Sequence, residues 1–253
     1  GALDRFVQFF LAPQFTESAT EREVKHSNNI KSDGWRKLQV ERYLSKPGHD
    51  YGKFGTGNKK TLMDDAREKG IEPREALLKF HKEWYSSNLM SLCIVGAESL
   101  DEMEASLGTL GFDAILNKKV NSKEWNDSPY GEDQLKKRVE VVPIKDSRSL
   151  NIRFTIPDLT DEYKSNPAHY ILLIRTHLLG HEGKGSLLSE LKRLGWVSSL
   201  SAGETTLAKG FSAFDIHVDL SIDGLNHADD IVALVFSYIG LLKRTGAEAW
   251  VQE

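Results

Sequence analysis

From Phe211 to Ser221 the chain sets Phe214, Ile216, Val218 and Leu220 against polar neighbours, the period-two pattern of a half-buried strand. Val197 to Ala208 reads as its partner. An earlier pair is expected at Val139 to Ile144 and Leu150 to Ile156, joined by Lys145-Asp146-Ser147-Arg148. Helical patterns gather around these pairs instead of alternating strictly with single strands. A parallel sheet needs a crossing after every strand, so hairpins followed by helices point to an antiparallel α+β layer.

The helices carry their own signals. Leu3, Phe6, Val7 and Phe10 share one face, and Thr16 or Ser18 caps a second helix whose first turns hold Glu17, Glu21 and Glu23, as the helix dipole favours. A third runs from about Lys31 to Leu44 and stops before Lys46-Pro47-Gly48. Glu72-Pro73 opens a helix with Leu77, Phe80, His81 and Trp84 on one face. Leu89 to Val95 then reads as a continuous apolar strand that buries Cys93, and Gly96 closes it. Ser99 with Glu102 forms a capping box for a helix through about Leu110. Asn166-Pro167 starts a helix that runs into His177, Ser186 begins another, and Asn226 to Arg244 is the last, burying Ile231, Leu234, Val235, Tyr238 and Leu242. Asn117 to Glu132 is polar and reads as a linker, so two domains are expected, 1–132 and 133–253.

Composition narrows the function classes. Hydrophobic residues make up 40% and charged residues 28%, and no apolar run approaches the roughly 18 to 20 residues of a membrane span. Net charge is -4 at pH 7, which favours neither nucleic acid nor an anionic membrane surface. Cys93 has no internal disulfide partner, which fits a reducing, cytoplasmic setting. The chain opens inside an amphipathic pattern and ends on what reads as a helix just begun, so a piece of a longer protein is expected.

The chemistry-bearing stretch is His177-Leu178-Leu179-Gly180-His181-Glu182, followed by Gly183-Lys184-Gly185. Histidines four apart on a helix face the same way, as zinc-binding pairs do. The positions between them are Leu178, Leu179 and Gly180, so the general-base glutamate of a metallopeptidase helix is missing. Three readings stay open: imidazoles at a helix C-terminus, contact with a ligand, and metal binding with Glu182. Phe54-Gly55-Thr56-Gly57-Asn58 lacks a P-loop's spacing and reads as a turn. His81 reads as a packed, hydrogen-bonded core histidine, and Phe9, Phe10, Phe15, Trp35 and Trp84 as core or interface aromatics.

Gly180-His181-Glu182-Gly183-x-Gly185-Ser186-Leu187-Leu188-Ser189-Glu190-Leu191-Lys192-x-x-Gly195-Trp196 does not stand alone. Together with Val142-Pro143-Ile144-Lys145-Asp146, Phe54-Gly55-Thr56-Gly57-Asn58-Lys59 and Tyr85-Ser86-Ser87-Asn88-Leu89-Met90, it resembles the insulin-degrading enzymes. These are insulinase or pitrilysin-type zinc metallopeptidases with the inverted H-x-x-E-H motif, the inverzincins. The resemblance runs nearly end to end and covers an interior portion, the later part of a first domain and most of a second. It implies two α/β rolls, antiparallel sheets packed by helices, with the first incomplete, in a protein whose halves enclose a peptide-degrading chamber.

Carried over residue by residue, the resemblance implies no catalytic residue and no metal ligand in this chain. No H-x-x-E-H occurs. Glu23 matches the first glutamate of the family's E-x6-E helix, and seven residues on stands Ile30, which cannot ligate zinc. The segment between Val24 and Asp33 is shorter than the family's. Zinc therefore belongs to the parent family, none is expected on this chain, and the chain as given is expected to be inactive. What matches is a substrate-anchoring exosite: His177, Leu178, Gly180 and Glu182 on the helix turn, and Leu200, Ala202, Gly203 and Glu204 on the strand. Strand addition would hold a peptide through its main chain, and Glu182 and Glu204 would meet an α-ammonium. Peptide substrates are the implied partners, and a homo-oligomer is a further expectation because a first domain lacking its opening strands would expose a sheet edge. The alternative is a catalytically inactive homologue acting as a peptide-binding or assembly module.

Overall fold

In unit 2 of the computed structural model, three antiparallel strands carry two helices on one face, and every strand among the described residues belongs to this sheet. Residues 2–26, 32–53, 55, 57–161 and 178–245 are described. The chain divides into unit 1, residues 1–39 and 53–123, and unit 2, residues 40–52 and 124–253. The chain therefore crosses between units three times. The division does not follow one cut near residue 132, because 40–52 and 124–132 both go with the second unit.

β1 (Ser149–Pro157), β2 (Val197–Ala208) and β3 (Phe211–Leu220) lie in the order β1-β3-β2. The alternation read in β3 is the alternation observed: Ile216 and Val218 are fully buried and Leu220 nearly so. Register then places Leu150 and Leu200 opposite Val218, and Ile152 and Ala202 opposite Ile216. The apolar side of all three strands is thus one surface. Helix α7 (Leu187–Arg193) covers it with Leu187, Leu188 and Leu191, and helix α8 (Ala228–Thr245) with Ile231 and Val235. Ser186 caps α7 by accepting a hydrogen bond from the Ser189 amide at 3.1 Å, as its position predicts.

The stretch Gly224–Thr245, 22 residues, is long and apolar enough by length and composition to cross a membrane. That corrects the expectation that no such run exists. Its buried stripe is engaged by the sheet, as in a core helix of an amphipathic kind.

Val139 to Ile144, expected as a strand, pairs as one with no described element, and Val142 and Ile144 are exposed. β1 meets β3 instead, with Ser149 opposite Asp219 and Pro157 opposite Phe211. The β1–β3 pairing runs over nine positions with its apolar sides in register.

Unit 1 is helical among the described residues. It holds α1 (Ala2–Leu11), α2 (Glu17–His26), the first turns of α3 (Asp33–Tyr43), α4 (Asp65–Glu68), α5 (Pro73–Trp84) and α6 (Leu100–Leu107). Val7 is fully buried, and the His81 ring donates from Nε2 to the Phe10 carbonyl at 2.8 Å, so this histidine is the hydrogen-bonded packing residue expected. A five-residue π-helix at Lys60–Asp64 leads into α4 and was not foreseen. Reciprocal bonds between Asn58 and Thr61 start it, an Asx-type cap that the Gly-rich loop reading passed over.

Leu89 to Val95 is a second correction. Among the described residues it forms no strand; Val95 is 94% exposed, and Cys93, expected buried, is exposed. Its start is held, since the Lys118 amide donates to the buried Ser86 hydroxyl at 2.8 Å and Asn88 Nδ2 donates to the Val120 carbonyl at 2.7 Å. Apolar content makes a strand attractive, but only a neighbouring backbone makes it a strand. Phe9, Trp35 and Trp84 are likewise exposed, which removes the core half of their core-or-interface reading.

Candidate functional site

β2 lies at one edge of the sheet, so its outer backbone groups pair with no strand among the described residues. Such an edge is a template for an added strand. Of the strand residues singled out by sequence, Leu200 is 5% exposed and its side chain is in the core, so it contributes backbone alone. Ala202, Gly203 and Glu204 are half-buried, opposite Ile216, Asp215 and Phe214 of β3. The Thr206 hydroxyl lies 3.3 Å from the Glu204 carboxylate.

The helix turn comes to this edge. Residues 178–180 are helical, Leu179 is buried in the same cluster as Leu200, and the Leu178 carbonyl accepts from Tyr238 Oη at 3.4 Å. A Cβ on Gly180 would stand 3.7 Å from the Ala202 amide nitrogen, an ordinary van der Waals distance, so the turn lies against β2 at this position. Glu182 is exposed just beyond. The structure therefore brings Gly180 beside Ala202, and Leu179 into the core cluster with Leu200. His177 lies outside the described residues.

His181 is occupied locally. Its Nδ1 accepts the Gly183 amide at 3.1 Å, and any side chain at 183 would collide with the ring, the nearest atom being 2.4 Å from an added Cβ. The imidazole thus closes the turn through a backbone amide, a variant of the helix-end role considered for it.

Among the described residues no three His, Cys, Asp or Glu side chains gather closely enough to hold a metal ion. Glu23 lies on α2, while Ile30 is outside the described residues.

A charged network on the other face of the sheet was missed. Arg153 on β1 stands opposite Asp215 on β3 and donates to both its carboxylate oxygens, at 2.7 and 2.8 Å. A third donation, from Nη1, reaches Glu41 at 2.5 Å. Burial works against the Arg153 charge, and the Asp215 and Glu41 carboxylates outweigh it, so its pKa is raised. Tyr130 Oη donates to the Glu41 carbonyl at 2.8 Å; burial pushes its phenol well above the usual value, and pushes Tyr51 upward too. The signal was available: an arginine and an aspartate each at a polar position of a strand otherwise apolar in alternation. Their pairing required the register.

Among the described residues, then, the chain carries a helix-covered antiparallel sheet with β2 at one edge and a glycine turn against that strand. The profile of the family described as Peptidase M16 inactive domain matches residues 73–251, more than half the chain, and the chain belongs to that family. It is 57% identical over 258 residues to a Caenorhabditis elegans protein provisionally named a zinc protease, covering 100% of this chain and 30% of that protein. It is 52% identical to the insulin-degrading enzyme of Drosophila melanogaster and 48% to that of Homo sapiens, each over 99% of this chain and 25% of the relative. The chain thus spans less than a third of the length of these relatives. Crystalline pitrilysin superposes with a TM-score of 0.83 at 27% identity, covering 99% of this chain and 27% of pitrilysin. The insulinase-type resemblance and the α+β class are accordingly those of the molecule.

Proposed function

We propose that this chain is a substrate-anchoring, non-catalytic part of an insulin-degrading-type zinc metallopeptidase. In this reading it contributes chamber wall and an exosite to a longer enzyme, and zinc with its activating base is held elsewhere in that enzyme. The observation that supports it best is the approach of the Gly180 turn to Ala202 at the open edge of β2. A peptide laid there would gain main-chain hydrogen bonds whatever its side chains, which suits an enzyme family that takes varied peptides. Glu182 and Glu204 would pair with the peptide's α-ammonium. His177, Leu178, Leu200, Ala202 and Gly203 would shape the groove.

The test is anisotropy of a labelled peptide with a free or an acetylated N-terminus. Tighter binding of the free form, weakened about tenfold or more by Glu182→Lys or Glu204→Lys, is the expected outcome, since a charge-assisted contact contributes about 1.5–3 kcal/mol. Equal affinity for both peptides in all variants would remove the exosite. The 253-residue chain alone is expected to show no chelator-sensitive peptide cleavage.

A second reading is a homologue that binds peptides or assembles with relatives without cutting. The family to which the chain belongs is described as an inactive peptidase domain, which is in keeping with it. Where the homologue binds peptides, the two readings differ in whether the protein containing this chain hydrolyses them; where it only assembles, they differ in peptide binding as well. Self-association through an open strand edge belongs to either, as does residence in a reducing compartment such as the cytoplasm, suited to a lone cysteine.

A further inference from the structure

The far end of β2 is held by an arrangement that none of the readings above uses. β2 and β3 are joined by Lys209 and Gly210, with Ala208 opposite Phe211 and a bulge between Thr206 and Ala208. A two-residue turn beside a bulge is a place where a hairpin can twist and its register can slip. Here three contacts converge on it, and a fourth holds one of the residues that make them. The Trp125 amide donates to the Lys209 carbonyl at 2.8 Å, and the Gly210 amide donates to Asp158 Oδ2 at 2.9 Å. Lys209 Nζ pairs with Glu124 at 2.6 Å, a half-exposed contact that adds little by itself. The indole of Trp125 is fixed in turn, donating from Nε1 to Asp50 Oδ2 at 2.9 Å.

Gly210 is what permits the closeness. Its φ is +114°, and an added Cβ would lie 2.3 Å from the Trp125 carbonyl oxygen, inside any allowed separation. The 124–125 backbone therefore lies directly across the turn. Asp50 and Glu124 also stand beside the chain crossings at 52/53 and 123/124, so this clasp anchors unit 2's side of both.

We infer that Trp125, held by Asp50, is a positioning residue: its clasp on Lys209–Gly210 fixes the free end of the β2–β3 hairpin and thereby the twist at which β2 presents its open edge. The bulge at 206–208 lies between the clasp and Glu204, so without the clasp that strand end would splay while the α7 and α8 core stayed intact. For peptide capture, this inference rests on the exosite reading.

Hydrogen–deuterium exchange on the full chain tests it, with Asp50→Ala, Asp50→Asn and Trp125→Phe. Asp50→Ala and Trp125→Phe each remove the indole bond, and amides of 205–211 are expected to exchange about fivefold to tenfold faster, as the loss of one net hydrogen bond implies. Amides of 187–191 and 231–235 should hold their rates. Asn at 50 keeps an acceptor, so Asp50→Asn should exchange like the native chain. Unchanged hairpin rates in both deletions, or equal acceleration across all of unit 2, would overturn the inference. Peptide affinity in the same variants separates the two proposals. If the native chain binds no peptide, the exosite reading fails and the exchange result still decides the clasp. If peptide binds and hairpin exchange rises without loss of affinity, the role of the clasp in presenting the edge is overturned and the exosite stands.

Discussion

Arg153 and Asp215 sit opposite each other on neighbouring strands and share two parallel hydrogen bonds, 2.7 and 2.8 Å, with both side chains about four-fifths buried. A planar guanidinium fits a carboxylate in this way where an ammonium does not. Removing Asp215 leaves a largely buried cation whose remaining carboxylate partner among the described residues is Glu41, and Asp215→Ala should cost about 2–4 kcal/mol in urea unfolding. Replacing Arg153 and Asp215 together by apolar residues of similar volume should cost less than that single change. A double variant as unstable as the sum of its single substitutions would contradict the pairing.

Gly224 should tolerate no side chain. A Cβ there would stand 1.9 Å from the Trp196 carbonyl oxygen, which already accepts the Ser221 amide at 2.9 Å. Gly224→Ala must therefore push the start of α8 off the sheet, at about 2–4 kcal/mol. Gly185 supplies the contrast, since its φ is +88° with open space around it. Gly185→Ala should cost only backbone strain, about 1 kcal/mol. Thermal unfolding of the two variants, side by side, measures the difference.

The capping box of α6 makes that helix sensitive to acid. Hydrogen bonds from the Ser99 hydroxyl and amide, at 2.7 and 2.9 Å, hold the Glu102 carboxyl below its ordinary pKa. A carboxylate depressed on folding stabilises above its unfolded pKa, and the gain fades as pH falls through the folded one. Carboxyl-carbon NMR should show Glu102 titrating below a normal glutamate, and Ser99→Ala should return it towards the usual range. Amide protection in α6 should fall with acidification in the native chain and less steeply in the variant.

Gly180→Ala separates stability from binding. The added methyl would meet the Ala202 amide nitrogen at 3.7 Å, an ordinary van der Waals distance, so unfolding should shift by less than about 1 kcal/mol. A peptide on the β2 edge would find the approach narrower, and its affinity should drop several-fold. Loss of stability without loss of affinity would show that Gly180 serves packing alone.

Local chemistry read from single segments matches the structure closely. Ser99 and Ser186 cap the helices expected of them, Pro73 opens α5, and β2 and β3 form with nearly their expected ends. Each of these rests on contacts within a few residues, which is why a linear pattern suffices. Leu89 to Val95 and Val139 to Ile144 looked equally good as strands and are not strands among the described residues. A strand depends on a partner whose position no local pattern contains. The glycine turn and β2 were both marked from sequence, but that Gly180 stands beside Ala202 came only from their packing on a shared core.

The amino-acid order alone therefore determined the family, the α+β class, the helix ends and the apolar face of the sheet, because periodicity and capping are properties of neighbouring residues. Tertiary structure decided which strand lies at the edge, that Arg153 finds Asp215 and Glu41, and that Trp125 closes on Gly210. These join residues 62, 112 and 85 positions apart respectively, and over such separations the choice of partner belongs to the packed core.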